Sequence, residues 1–410
     1  MSVAAIADSS LYLLAVLAGI VAGIITGLLP GLHINLVSVI AASLLHDSLP
    51  GPTKNMAFAA FIMAMSISHV FHDFIPSVFL GFSESDAALA VLPGHRMLLA
   101  GMGKKAVMLA ALGGLSGVLG MASLAPILLA TLKPVFLAIK GYIGAILMAT
   151  IAIHFLKCKT IRDAAINMVV LALSGLFGIA VFSLPSISEP LLPMFSGLFG
   201  MSSIIGGLIA KPTFPKQNGK ATIKSRKPLK AARILGLGLL SSSLMGMFPA
   251  VGPAQAAMLG TAALKKLKPA SYMFLLGAIS SASMLFSLFT LYSFGKARNG
   301  SIAVMGSAIQ INLSSLVLLL AAAILSASVS VITTSFASRL FSSLTERVDY
   351  RRLNWAMAIA IMALAAAFSG LIGITVLFVA TAIGMVPMLA KSSRQLLMGC
   401  LMVPVILHYA

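Results

Sequence analysis

The stretch GIITGLLPGLHIN, residues 23–35, decides how the rest of the chain is interpreted, because the helix breakers Pro30 and Gly31 interrupt an otherwise apolar run. Proline removes a backbone donor and clashes with the preceding helical turn, so in hydrocarbon the freed groups need partners from neighbouring protein or a lined cavity. On this stretch alone, the break is either a functional feature of a membrane helix or a simple packing kink.

The amino-acid composition is typical of a membrane protein. Of its 410 residues, 60% are hydrophobic and only 9% charged, and the mean hydropathy is +1.07. The long apolar runs lack the alternation of outer-membrane strands, so we predict an all-α polytopic membrane protein. Twelve spans are expected, at residues 11–29, 55–80, 106–131, 134–156, 163–184, 191–210, 233–249, 270–294, 303–330, 354–369, 371–389 and 395–409.

The net charge of +19 does not indicate nucleic-acid binding, since the basic residues lie in short loops between apolar spans. Positive-inside bias accounts for most of this charge, so we predict a multi-pass cell-membrane protein with these loops in the cytoplasm, near lipid headgroups. Cys158 and Cys400 match no metal or redox spacing, and the sequence contains no nucleotide-binding, zinc or hydrolase motif. We expect no cofactor, no metal and no enzyme activity.

The opening stretch recurs in the second half as SLMGMFPAVGPAQ, residues 243–255, where Gly246 and Pro249 repeat the spacing of Gly27 and Pro30. A basic linker at 211–232 separates a first half, 1–210 with its core at 11–96, from a second half, 233–410 with its core at 233–305. The first break follows a segment carrying only Asp8, whereas the second follows the most basic loop. The positive-inside rule therefore predicts two inverted repeats, a pattern of secondary transporters.

The two breaks predict an anion site. A helix beginning after Gly31 and another beginning at Pro253 would point unpaired N–H groups and positive dipole ends into the membrane. The alternative for the polar side chains there is helix capping or cross-linking. The predicted substrate-binding residues are Pro30, Gly31, His33, Asn35, Pro249, Gly252, Pro253, Gln255, Ser281 and Ser283.

A second polar group lies in SHVFHDFIPS, residues 68–77. His69 and Asp73 are four residues apart, so on a helix they share a face and can pair, with His72 beside them. Charge within a span is costly, and we predict that His69, His72, Asp73 and Ser77 serve ion coupling. The alternative is a structural pair that stabilises a break at Pro76. The second half has no acid at the equivalent place, where Lys296 and Arg298 either attract an anion or anchor the helix at the interface.

Residues 23–35, the string SHVFHDFIPSVFLG at 68–81 with LPGHR at 92–96, and PAVGPAQ at 249–255 resemble the archaeal branch of the large membrane subunit family of tripartite tricarboxylate transporters. The resemblance implies a permease with two inverted halves and ion-driven carboxylate uptake. By analogy with bacterial members it implies two partners, a small membrane subunit and an extracytoplasmic binding protein. Bacterial members are longer and more glycine-rich where this chain has Ala250. His33 and the His69–Asp73 pair belong to the archaeal-like variant.

The leading hypothesis is an ion-coupled secondary transporter of a small organic anion, a di- or tricarboxylate, working by alternating access. The coupling ion, H+ or Na+, is left open, as are the transport direction and the oligomeric state, a homo-oligomer included. The alternative is a translocase for an amphiphilic anion such as a polyprenyl phosphate. An intramembrane enzyme built on His69, His72 and Asp73 lacks a nucleophile or metal set in this sequence.

Overall fold

The computed structural model describes residues 3–29, 34–45, 51–79, 91–156, 158, 160–185, 187, 190–210, 217, 228–247, 267–345, 350–390, 392 and 394–409. Every regular element in these ranges is helical, which agrees with the predicted fold class. The first-half helices are α1 Val3–Leu28, α2 Ile34–Leu45, α3 Pro52–Phe79, α4 Val91–Leu99, α5 Gly103–Ser123, α6 Ala125–Ile139, α7 Ile143–Leu156, α8 Ile161–Phe182, α9 Leu191–Phe195 and α10 Ser202–Ala210. The later helices are α11 Pro228–Met247, α12 Pro269–Phe294, α13 Gly300–Ala308, α14 Leu313–Thr345, α15 Tyr350–Leu389 and α16 Gly399–Tyr409.

Eight helical segments in the described ranges are long and apolar enough to cross a membrane, and three shorter apolar helices accompany them. Two of the long helices are central. In α3 the most apolar window is 94% buried, and in α12 it is 89% buried, whereas the corresponding window of α1 is only 28% buried. Helices such as α1 therefore face lipid on one side, while α3 and α12 are surrounded by protein.

Helix α1 packs on α3 through a stripe of small residues. Gly19, Gly23 and Gly27 recur every four residues, which places them on one face of α1. A Cβ atom at Gly23 would lie 2.5 Å from the carbonyl oxygen of Met65, and one at Gly27 would lie 2.6 Å from that of His69. Close backbone approach of this kind is how small residues join helices in membranes. The glycines of the opening stretch thus bring α1 onto α3.

The same spacing recurs where α11 packs on α12. Gly238, Ser242 and Gly246 again lie four residues apart. A Cβ at Gly238 would lie 3.0 Å from the Cβ of Ala278, and the Ser242 hydroxyl donates to the carbonyl of Ile279 at 3.2 Å. The order of elements is therefore alike in both halves, with a small-residue helix before the break and a long buried helix after it.

Each half contributes a helix that packs on the central helix of the other half. Helix α5 of the first half packs on α12 of the second, and α14 of the second half packs on α3 of the first. Gly277 of α12 lies against the carbonyl of Ala110, and Gly113 of α5 lies against the carbonyl of Phe274, so neither position has room for a Cβ. Each central helix is consequently buried by helices from both halves.

A separate hydrophobic cluster forms from α8, the α9–α10 region, α15 and α16. Between α9 and α10 the chain forms a π-helix, Ser196–Met201, whose wider turn displaces carbonyls from the regular ladder. The half-buried side chain of Arg394 contacts these groups. It donates to the carbonyls of Leu198 (2.8 Å) and Phe199 (3.1 Å) and to the hydroxyls of Ser202 and Ser203 (both 2.6 Å).

Several predicted span boundaries were wrong. The predicted spans 106–131 and 134–156 are divided instead into α5, α6 and α7, since α5 ends at Ser123 and a proline lies in the first turn of α6. The predicted span 303–330 is divided between α13 and α14. Gly370 has φ 61° and ψ −158° within α15, so the predicted separation of 354–369 from 371–389 falls at a real kink.

The predicted twelve spans, the inverted relation of the halves and the domain boundaries remain predictions. Most of the linker at 211–232 lies outside the described residues. Its residue Gln217 accepts the N–H of Gly103 at 2.9 Å and donates to the carbonyl of Leu98 at 3.1 Å. At this one position the linker therefore contacts the α4–α5 turn of the first half.

Candidate functional site

The predicted ion-coupling residues lie on α3, the most buried of the eight membrane-length helices in the described ranges. On α3, His69 is 2% exposed, His72 0% and Asp73 6%. Burial without good partners costs polar groups several kcal/mol, so their hydrogen bonds show what holds them there.

His69 joins α3 to the last turn of α1. Its Nδ1 lies 3.0 Å from the hydroxyl oxygen of Thr26, and that hydroxyl donates to the carbonyl of Ala22 at 2.9 Å. The Thr26 hydroxyl can therefore accept from Nδ1 while it donates to Ala22, or donate to Nδ1 after rotation, depending on the tautomer of His69. His69 is therefore hydrogen-bonded to Thr26, which lies four residues before Pro30 at the end of α1 that leads into the first break.

His72 joins α3 to α14. Its Nδ1 lies 2.7 Å from the carbonyl oxygen of Ser68, which can only accept, so Nδ1 carries a proton. Its Nε2 lies 3.1 Å from the hydroxyl of Thr333 on α14. The Thr333 hydroxyl also has the carbonyls of Val329 (3.2 Å) and Ser330 (3.3 Å) within reach. Thr333 can therefore donate to a neutral His72 or, after rotation, accept from a protonated one.

Asp73 and Ser77 lie one turn apart near the end of α3. The Ser77 hydroxyl donates to the carbonyl of Asp73 at 2.7 Å. In agreement with the predicted span 55–80, and contrary to the alternative of a break at Pro76, α3 continues through that proline to Phe79. Packing on all sides keeps the helix intact where Pro76 removes the ladder bond to the carbonyl of His72. The His69–Asp73 pairing stays a prediction.

The first break is seen from both sides. Helix α1 ends at Leu28, and α2 begins at Ile34. Pro30, Gly31 and His33 lie outside the described residues. Asn35, in the first turn of α2, accepts the N–H of Ser301 at 3.1 Å. This predicted substrate residue thus contacts the start of α13, in the other half of the chain.

The second break is seen from one side. Helix α11 ends at Met247, and Pro249, Gly252, Pro253 and Gln255 lie outside the described residues. The guanidinium of Arg298 donates from Nε to the carbonyl of Gly246 at 3.2 Å and from Nη2 to that of Met247 at 2.6 Å. The sequence suggested that Arg298 either attracts an anion or anchors a helix at the interface. Neither interpretation included capping of the helix before the break.

The two predicted serines of α12 are buried but differ in bonding. Ser283 donates to the carbonyl of Ser280 in its own helix at 2.7 Å. Ser281, 1% exposed, has no hydrogen-bond partner and packs beside Gly114 of α5. A buried hydroxyl without a partner is unfavourable by about 1–3 kcal/mol, so Ser281 is the better ligand candidate of the two.

Sequence reasoning missed Thr26 and Thr333, the partners of the two histidines. Thr26 lies within the opening stretch itself. Thr333 belongs to a polar region of α14 in which buried hydroxyl residues recur every four positions: Ser326, Ser330, Thr334, Ser338 and Ser342. The four-residue period of these hydroxyl residues is visible in the sequence, but the helix that α14 contacts there, α3, is not.

Comparison with known proteins gives three findings. The model of the tripartite tricarboxylate transporter TctA family matches residues 13–399. The uncharacterized protein MJ1079 of Methanocaldococcus jannaschii is 28% identical over 271 residues, which cover 62% of this chain and 64% of that protein. The chain thus aligns with less than two thirds of that relative's length, and no solved structure matches. Because the family model spans nearly the whole sequence, the chain belongs to the tripartite tricarboxylate transporter TctA family.

Proposed function

We propose that this protein is an ion-coupled secondary transporter of a small organic anion, a di- or tricarboxylate, in the cell membrane. Membership of a transporter family and the apolar helices support a multi-pass membrane transporter. The observation that carries the finer proposal is that His69 and His72, beside Asp73, link the central, mostly buried α3 to the end of α1 and to α14. Ionisable groups held inside a membrane bundle typically mark an ion or proton route.

The anion is assigned to the two breaks. Each follows a helix bound to a long central helix, and N-termini of helices that restart at a break favour carboxylates. Asn35, Ser281 and Ser283 are the described residues of this predicted site, and Pro30, Gly31, His33, Pro249, Gly252, Pro253 and Gln255 complete it. Supporting the inverted-repeat interpretation are the matched small-residue stripes and the reciprocal packing of α5 and α14.

Coupling is assigned to α3. Protonation of a histidine, or Na+ binding beside Asp73, changes the charge in the bundle core, and a change of charge there biases the equilibrium between outward-open and inward-open states. The His69–Thr26 bond would carry that change to the end of α1 before the first break. His72 and Thr333 would carry it to α14, with Ser77 supporting the backbone of Asp73.

Gradient-driven uptake in proteoliposomes tests this proposal. Asp73→Asn, nearly equal in volume, should abolish uptake while gel filtration and thermal unfolding stay normal. Asp163→Asn is the matched control, because Asp163 lies in the first turn of α8, away from α3. Undiminished uptake by Asp73→Asn would remove Asp73 from the coupling site.

Substrate class is tested on purified protein. Saturating di- and tricarboxylates should raise the unfolding temperature at two pH values, since a ligand that binds the native state stabilises it. Polyprenyl phosphates form the competing arm, because they were the alternative substrate. Stabilisation by polyprenyl phosphates alone would overturn the carboxylate assignment. The small membrane subunit and the binding protein are proposed partners by family analogy. Their co-purification with this chain from cell membranes tests that proposal.

A further inference from the structure

One short turn, residues 295–299, follows the central helix α12. Gly295 ends that helix with φ 70° and ψ 14°, a left-handed conformation that suits glycine. The turn then folds back along α12, where the buried hydroxyl of Ser287 accepts the N–H groups of Arg298 and Asn299, both at 2.9 Å. Two backbone donors of the turn are thus fixed by a single side chain of the central helix.

The side chain of Arg298 extends from this turn to α11. Its bonds to the carbonyls of Gly246 and Met247 satisfy acceptors that the end of a helix leaves without an internal partner. A cation is also favoured at a helix C-terminus by the helix dipole. The planar guanidinium can bind two consecutive carbonyls at once, which a lysine ammonium does less well. The last turn of α11, immediately before the second break, is therefore bound to the turn.

The same turn binds the helix that follows the first break. Asn299 caps α13 by accepting the N–H of Ser301 at 2.9 Å and its hydroxyl at 2.6 Å. Asn35 of α2 accepts the same N–H at 3.1 Å. Glycine at 300 allows this approach, because a Cβ there would lie 2.7 Å from Cγ of Asn35. Residues that flank both breaks thus meet at the 295–301 segment.

We propose that Arg298 is a positioning residue that couples the two breaks mechanically. Through the 295–301 segment it holds the end of α11 at a set distance from α2, so a displacement of α11 is passed to α2. The coupling adds to the proposed transport function and is independent of which ion or anion is carried. It gives the two halves a shared contact beside the predicted site.

Hydrogen–deuterium exchange of the full-length protein tests this without a transport assay. Loss of hydrogen bonds from a charged group typically raises a local opening equilibrium about ten- to hundredfold, so Arg298→Ala should speed exchange by that factor at residues 295–303. The decisive readout is α2, residues 34–45, which Arg298 does not contact in the bonds described above. Its amides should exchange severalfold faster in Arg298→Ala, with Arg298→Lys intermediate.

The matched control is Lys296→Ala, because Lys296 carries the same charge on the same turn and is exposed. It should leave exchange in α2 unchanged. Faster exchange confined to α11 and the turn would show a local structural role and overturn the proposal, as would an equal effect of Lys296→Ala. Because uptake is not measured, a failed transport proposal leaves this result interpretable.

If Arg298→Ala does not fold, Ser287→Ala replaces it. This variant removes the acceptor of both turn amides and keeps every charge. Thr290→Val is its control, since the Thr290 hydroxyl bonds a carbonyl of its own helix at 2.8 Å. Ser287→Ala should speed exchange in α2, and Thr290→Val should not. Unchanged α2 exchange in Ser287→Ala would refute the coupling.

Discussion

The contact between α5 and α12 predicts an unusually sensitive glycine. Gly277 faces the backbone carbonyl of Ala110, a group that cannot rotate away as a side chain can. Overpacking a core typically destabilises by about 1–3 kcal/mol, and a backbone obstacle places Gly277→Ala near the upper end. Alanine's higher helix propensity offsets about 1 kcal/mol. We therefore expect Gly277→Ala to lower the free energy of unfolding by about 2 kcal/mol.

Gly236→Ala is the matched control, because this glycine is also helical but has nothing within 4 Å of its Cβ position. It should stabilise by up to about 1 kcal/mol, which separates the two variants by about 3 kcal/mol. In a Cys158→Ser background, the fully buried thiol of Cys400 allows unfolding to be followed with a thiol-reactive fluorophore during heating. Equal unfolding temperatures for the two variants would refute close helix packing at Gly277.

Three further predictions concern stability. Thr333→Val should destabilise by about 1–3 kcal/mol, because it leaves the buried Nε2 of His72 without its partner, while Thr131→Val, at an exposed hydroxyl, should be near neutral in the same thermal assay. Arg394→Lys should cost about 2–3 kcal/mol, since lysine cannot reproduce the four bonds to the π-helix region, and exposed Arg339→Lys is the control; matching unfolding temperatures would contradict the role of Arg394. Burial lowers the pKa of His95 below its ordinary 6.5, so the folded state binds this proton less readily than the unfolded chain, and stability should decline as pH falls below 6.5. His95→Gln should reduce that decline, and an unchanged pH profile would count against it.

Apolar length and helix breakers were enough to predict the helical class, the end of α1 before Pro30 and the division at Gly370. They failed at Leu124, where no charged residue or long polar run marks the boundary between α5 and α6, although the following Pro126 was a usable signal. Pro76 lies inside the predicted span 55–80, and tertiary packing keeps α3 helical through it.

The site was harder to predict, for a physical reason. The presence of polar groups in a span is visible in sequence, so His69, His72 and Asp73 were found. Their partners come from other helices, with Thr26 lying 43 residues and Thr333 lying 261 residues away along the chain. A single sequence does not record which helix faces which, so Arg298 also appeared only as a loop cation.

The sharing of α3 between the two halves has a consequence for biosynthesis. Helix α3 enters the membrane long before α14 is synthesised. Until α14 has been inserted, His72 therefore lies in a partly assembled bundle without its hydrogen-bond partner Thr333. An insertase or chaperone that shields α3 during this interval would then matter more for yield than the final stability of the protein. Separately expressed halves should each be degraded, and simultaneous expression of 1–210 with 211–410 should restore both.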